Sequence, residues 1–207
     1  MVYPCWIEAN VTPTLLPTAV RYNGKALGFL TGSRKHITLG DGLNSIGIET
    51  WYTLVPDPGV HDVEVDYSGS VDSYCGAMSF FNVAHDVPLG APVTANAQTG
   101  SPTANVASAG DDLVSAAAFG VVIAALTAQD IEVWSTGVAG SLESSGAVQV
   151  GAPTVTMDWT GLNGAPYEWV ETGVSIKPWV VQTMGQRLVE PLGAGFKSKI
   201  RSIKSWF

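Results

Sequence analysis

Residues 49–83 read ETWYTLVPDPGVHDVEVDYSGSVDSYCGAMSFFNV, and no other stretch restricts the fold as tightly. Val63, Val65 and Tyr67 alternate with Asp62, Glu64 and Asp66, the period of a strand with one buried face and one acidic solvent face. Turn chemistry lies on both sides. Pro56-Asp57-Pro58-Gly59 combines proline, which fixes φ, with glycine, which allows reversal; Ser68-Gly69-Ser70 follows the strand. The stretch is therefore expected to form three antiparallel strands in a meander, with aromatic side chains that need a core. The rest of the chain is expected to complete a sandwich around it.

The same punctuation continues elsewhere. A strand is predicted over Tyr3–Thr12, where Cys5, Ile7, Ala9 and Val11 alternate with Trp6, Glu8 and Asn10. In AVRYNGKALGFL, Asn23-Gly24 separates two apolar-alternating runs, a hairpin signal because a tight primed turn needs positive φ. Residues 31–46 read as an exposed loop with Arg34, Lys35 and His36 at its tip. Residues 84–110 read as a loop with one short strand. LVSAAAFGVVIAALTA, after Asp111-Asp112, is the most apolar run. It falls short of the roughly 20 residues a bilayer span needs and contains Ser115, Gly120 and Thr127, so it reads as a central strand buried on both faces. Ile131–Ser135, Ala147–Val150, PTVTMDW and EWVETGVSI add later strands. About nine or ten strands without a helix before residue 178 predict an all-β, two-sheet antiparallel β-sandwich of jelly-roll type. The sandwich domain is expected over residues 1–178 and a C-terminal extension over 179–207.

Charge divides the chain at the same place. Residues 1–176 hold 17 acidic and 4 basic side chains, whereas residues 177–207 hold 6 basic and 1 acidic. An acidic body argues against nucleic-acid binding by the main domain. The basic end calls for an acidic partner, a membrane surface or the body itself. Cys5 and Cys75 do not make a disulfide framework; two buried thiols are the expectation, with a bridge possible only if their strands are neighbours. MVYPCWIEAN carries neither a basic n-region nor a continuous apolar h-region, so no Sec signal is expected within this sequence.

Catalytic and metal motifs were sought by spacing. His36, His61 and His85 are scattered, and no pair has ligand spacing on one element. There is no GxSxG elbow, no phosphate-cradling glycine loop and no EF-hand spacing. The chain is accordingly read as a non-enzyme without cofactor or metal. The seven Trp and six Tyr could build a sugar-stacking platform, but in a sandwich most should serve core or interface.

YNGKALG, ETWYTLVPDPGVHDVEV, YSGSVDSYCGAMSFFNV, DVPLG, DDLV, VTMDW and GVSIKP, in this order over roughly residues 5–178, resemble a recurrent jelly-roll-like β-sandwich domain of bacterial and archaeal surface proteins and phage structural proteins. The resemblance implies a sandwich and brings no catalytic residues. Such domains usually carry one more strand before the one matched here by PCWIEANV, which implies an unpaired sheet edge open to completion by another segment. The resemblance does not extend past Pro178.

Beyond Pro178 the chain runs WVVQTMGQRLVEPL, then Gly193-Ala194-Gly195, then FKSKIRSIKSWF. Phe196, Ile200, Ile203 and Phe207 recur at helical spacing with Lys197, Lys199, Arg201 and Lys204 between them and Trp206 at the end. These nine residues are the candidate partner-binding set. A twelve-residue helix is marginal alone in water, so it is expected to order on a partner. The candidates are neighbouring copies or a capsid or surface lattice, the chain's own body, and a membrane surface. The resulting expectation is a structural protein of a virion-like assembly, decorating a capsid and anchored through its termini. The alternative is a carbohydrate-binding or adhesin module at a cell or virion surface, reached by a signal-independent route.

Overall fold

The computed structural model describes residues 1–10, 14–121, 126–137, 142–160 and 168–179. Their regular structure is entirely β: seventeen strands, four of them only two residues long, in antiparallel pairs throughout. The expected antiparallel β-sandwich is present, with more and shorter strands than the sequence suggested.

Four sheets are involved, numbered here by strand in chain order. The first holds β3 (Lys25–Ala26), β2 (Pro17–Tyr22) and β8 (Val63–Tyr67). The second runs β4 (Gly28–Phe29), β7 (Trp51–Tyr52), β1 (Val2–Glu8), β6 (Ser45–Ile48) and β5 (Lys35–Thr38), with β9 (Asp72–Ala77) on the opposite edge of β1. The third runs β10 (Val93–Ala97), β17 (Trp169–Ile176), β12 (Leu113–Val121), β15 (Leu142–Val150) and β14 (Ile131–Gly137). The fourth holds β11 (Thr103–Val106), β16 (Val155–Thr160) and β13 (Thr127–Ala128).

Three apolar cores lie between these layers. Val2, Val20 and Leu27 bury the first sheet against the second, with Trp51, Val63 and Val65 packed on them. Tyr3, Cys5, Ile46 and Ile48 of the second meet Ala117, Phe119, Val148 and Val170 of the third. Val114, Ala116, Ala118 and Ala147 on the other face of the third meet Val106, Met157 and Trp159 of the fourth. The two central sheets form the sandwich, and the outer three-stranded sheets cover it on both sides.

This layering bears out some expectations and corrects others. β12 is a central strand buried on both faces, paired with β15 on one edge and β17 on the other. Asn23 and Gly24 adopt φ of 52° and 70° and close the β2–β3 hairpin as predicted. The meander is corrected: β7 pairs with β1 and β4, β8 with β2, and β9 with β1, so the three strands do not pair with one another. Residues 31–46 are not simply a loop, because β5 and β6 form a hairpin there whose Ile37 and Ile46 turn toward the second core. Residues 84–110 contain two strands, β10 and β11. The first strand ends at Glu8, short of the expected Thr12. This strand is itself interior, since Val2 pairs with Trp51 on one side and Ala77 on the other, and Cys5 with Ile48 and Tyr74; the sheet's ends are β4 and β5. Cys5 faces Tyr74 across the ladder while Cys75 faces Pro4, which sends the two thiols to opposite faces of the sheet. Both are free, Cys5 buried and Cys75 exposed, so neither a bridge nor a second buried thiol is found.

Two glycines are required by one tryptophan. The Trp134 indole of β14 lies against Gly76 of β9 and Gly146 of β15, and a Cβ at either position would collide with the ring. Gly76→Ala and Gly146→Ala are each expected to destabilise the fold by about 1–3 kcal/mol, the cost of overpacking a filled core. Urea unfolding of both variants checks this, with Gly24→Ala as a control for strain from positive φ without a clash.

Candidate functional site

The predicted partner-binding residues Phe196, Lys197, Lys199, Ile200, Arg201, Ile203, Lys204, Trp206 and Phe207 lie outside the described residues. The structure does describe the place from which that segment departs. Residues 82–90 form a strap along the end of β17. Val83 bridges Pro178 and Leu89 bridges Ile176. The Ala84 amide donates to Lys177 O (2.9 Å), Lys177 N to Pro88 O (2.8 Å), Gly90 N to Ser175 O (2.9 Å) and Trp179 N to Asn82 O (2.7 Å). Asn82 takes φ of 56°, a left-handed conformation that asparagine tolerates well among non-glycine residues. The exit of the chain is thus held by four backbone hydrogen bonds up to residue 179.

Around this exit the surface is apolar. One shallow groove is walled by Tyr52, Leu54, Phe80, Val83, Leu89 and Ile176, with His85 at its rim. A second, sharing Val83 and Ile176 with the first, is lined by Phe81, Leu113 and Pro178. Large apolar side chains stand into solvent here: Leu54 of the first groove is 43% exposed and Phe81 of the second 49%, and on the adjoining strap and exit Val87 is 61% and Trp179 47% exposed. The Trp179 indole meets His85 edge-on, ring centroids 5.2 Å apart. Asp86 and Asp111 are exposed beside this collar. A collar of this kind is uncommon on a surface with no partner. The sequence reading places SFFNV in a strand of the meander and opens a loop at residue 84, and neither assignment shows which side chains meet solvent. One signal was available: had the strand read through YCGAMSFF continued, adjacent Phe80 and Phe81 would point to opposite sides and one would face outward; in the structure Phe80 is half-buried and Phe81 exposed.

The carboxylates have structural employment. Of six buried acids, five accept hydrogen bonds. Glu8 takes the amides of Thr14 (2.9 Å) and Leu15 (3.1 Å), and Glu168 takes Gly40 N (2.6 Å) and Gln98 Nε2 (2.9 Å). Glu143 takes Leu126 N (2.6 Å) and Asp112 takes Ala109 N (3.0 Å). Glu49 pairs with Arg34 Nε (2.6 Å) and accepts from the Trp51 indole; even so, burial holds its pKa above the usual glutamate value. Glu64 and Asp66 of the predicted acidic row stay exposed and share Arg21, at 3.8 and 2.6 Å. Among the described residues no group of three or more His, Cys, Asp or Glu could hold a metal ion. Trp6, Trp159 and Trp169 are buried, and Trp179 is the one described tryptophan with a largely open face.

No family model matches this chain, and neither a curated protein nor a solved structure does.

Glu171 differs from the other buried acids. It lies on β17 opposite Ala118, fully buried, and neither carboxylate oxygen has a hydrogen-bond partner. Burial, with a smaller contribution from Asp158, raises its pKa well above the ordinary glutamate value. The unfolded chain therefore releases this proton at lower pH than the fold does, and stability falls as pH rises through the interval between the two values. Glu171→Gln removes that slope. Its urea midpoint should gain on the parent as pH rises above about pH 5, while the difference levels off below about pH 4, where glutamate is protonated in either state. Parallel pH profiles for parent and variant would count against a proton held at this site.

Proposed function

We propose that this chain is a non-enzymatic structural protein of a virion-like assembly, a capsid-decorating or minor surface component, anchored to neighbouring subunits by the segment that follows residue 179. The jelly-roll kinship suggested by the sequence motifs belongs to this reading. The observation that carries it is the apolar collar of Leu54, Phe81, Val87 and Trp179 at the root of that segment. An interaction surface of this chemistry stands where the chain changes from an acidic body to an apolar and basic end. Two further features support it. The buried acids mostly accept loop amides and so fix loops in place, as a rigid display plate requires. The charge contrast suits association, because apolar anchors supply affinity while opposite charges speed and orient the encounter.

Deletion of Phe196–Phe207 tests the reading. Produced in its native background, the truncated protein should keep the cooperative thermal unfolding of the parent and disappear from particle fractions on a density gradient. Truncated protein in those fractions at the parental proportion would overturn the anchoring role.

A further inference from the structure

The collar itself has a partner that the chain can supply. We propose that the two grooves at the exit, walled by Leu54, Phe80, Phe81, Val83 and Leu89, receive residues 196–207 of a second copy of this chain, which links subunits head to tail. This inference rests on the anchoring role proposed above and names the surface that accepts the anchor.

Chemistry and chain length both point to this occupant. The segment offers Phe196, Ile200, Ile203 and Phe207 as apolar anchors, with Lys197, Lys199, Arg201 and Lys204 among them. The collar offers exposed apolar side chains bordered by Asp86 and Asp111, with Lys177 also lining the second groove, so acids outnumber bases there. Apolar contacts and charge are therefore complementary. As for length, sixteen residues separate Trp179 from Phe196, and they can span up to about 60 Å when extended. A body of this size is roughly 40 Å across. Return to the chain's own groove needs little of that reach, since Trp179 already rests on His85 at the groove rim. A random-coil linker of sixteen residues would average roughly 20–25 Å between its ends, about the distance to a copy packed beside the exit and more than a return to its own groove requires. The contact is heterologous: the donating and accepting surfaces differ, so each subunit can give one segment and receive another.

Two full-length variants separate donor from acceptor. In the first, Phe196, Ile200, Ile203 and Phe207 are replaced by Ser, which disables the segment and leaves the collar intact. In the second, Phe81→Glu and Val87→Glu disable the collar at side chains that are already exposed. Sedimentation velocity should show concentration-dependent association of the parent, weakened at least tenfold in each variant alone. An equimolar mixture of the two variants should form a heterodimer, because one intact segment and one intact collar remain. Unchanged thermal unfolding midpoints establish that both variants fold; if the Glu pair unfolds the body, Phe81→Ser with Val87→Ser takes its place. If the collar variant associates like the parent while the segment variant does not, the inference is overturned and the anchoring role stands. A mixture that forms no heterodimer overturns the inference, as does a parent that stays monomeric because its segment closes on its own body.

Discussion

The ladder around β12 is the constraint on which the other layers depend. Nine residues of β12 pair with β15 and eight of them pair again with β17. With hydrogen-bonding neighbours on both edges, the strand can present apolar side chains to both faces without stranding backbone groups in the core. Its alternation then sorts the layers: Val114, Ala116 and Ala118 face the fourth sheet, while Ala117 and Phe119 face the second. Three successive alanines keep both faces thin, so sheets can close on either side. The polar exception on the strand is satisfied, since the Ser115 hydroxyl lies 2.6 Å from that of Tyr3 and ties the third sheet to the second. Burial on both faces normally belongs to parallel sheets covered by helices. Here the covering is more β-sheet.

A stack of sheets leaves its loops with the problem of unpaired amides, and this chain meets it with carboxylates. Glu8, Glu143, Glu168 and Asp112 are buried beside loop residues Thr14, Leu126, Gly40 and Ala109, whose amides they accept. Charge-assisted bonds of this kind are stronger than neutral ones and offset part of the cost of burying the acid. The body can therefore be rich in acid and poor in base without a row of ion pairs; Glu49, with Arg34, is the one buried acid that takes a cation among the described residues. Much of what looks like solvent-facing charge in the composition is internal support. The exposed remainder is spread over the surface: Glu64 and Asp66 lie on β8, whereas Asp41, Asp72, Asp86 and Asp111 lie elsewhere.

Local signals were legible in the sequence and pairings were not. Period-two alternation identified β8, the Asn23-Gly24 turn identified the β2–β3 hairpin, and unbroken apolarity identified β12. The pairing of β7, β8 and β9 could not be read that way. Adjacent strands in sequence usually pair, but the bulky aromatic Trp6 and the small Gly47, Gly76 and Gly146 favour a different arrangement in which β9 crosses to β1 and Trp134 fits against glycine backbone. Such fits depend on residues far apart in sequence. The strands within 31–46 and 84–110 were hidden by Gly, Ser, Thr and Ala, which carry little hydrophobic contrast. The collar was missed for a related reason: exposure is a property of the assembled surface. The 3.6-residue period of 196–207 makes that segment a candidate anchor, and it lies outside the described residues; the surface it could meet became visible only once residues 52–56, 80–89 and 176–179 came together.

The same pinned exit explains why a collar at this position can be apolar without endangering the body. An exposed apolar strand edge would invite indiscriminate pairing, because its free amides and carbonyls accept any extended segment. At the exit the backbone groups of Ala84, Lys177, Gly90 and Trp179 are already spent on one another and on the strap. What is left open is side-chain surface, which discriminates by shape and charge and offers no ladder to extend. Specificity at such a surface comes from a few fitted anchors with acids at the border, and a basic segment with spaced aromatic and branched side chains meets that description. At the exit the chain thus keeps its backbone hydrogen bonding closed and leaves apolar side chains open, beside the start of the segment proposed as the anchor.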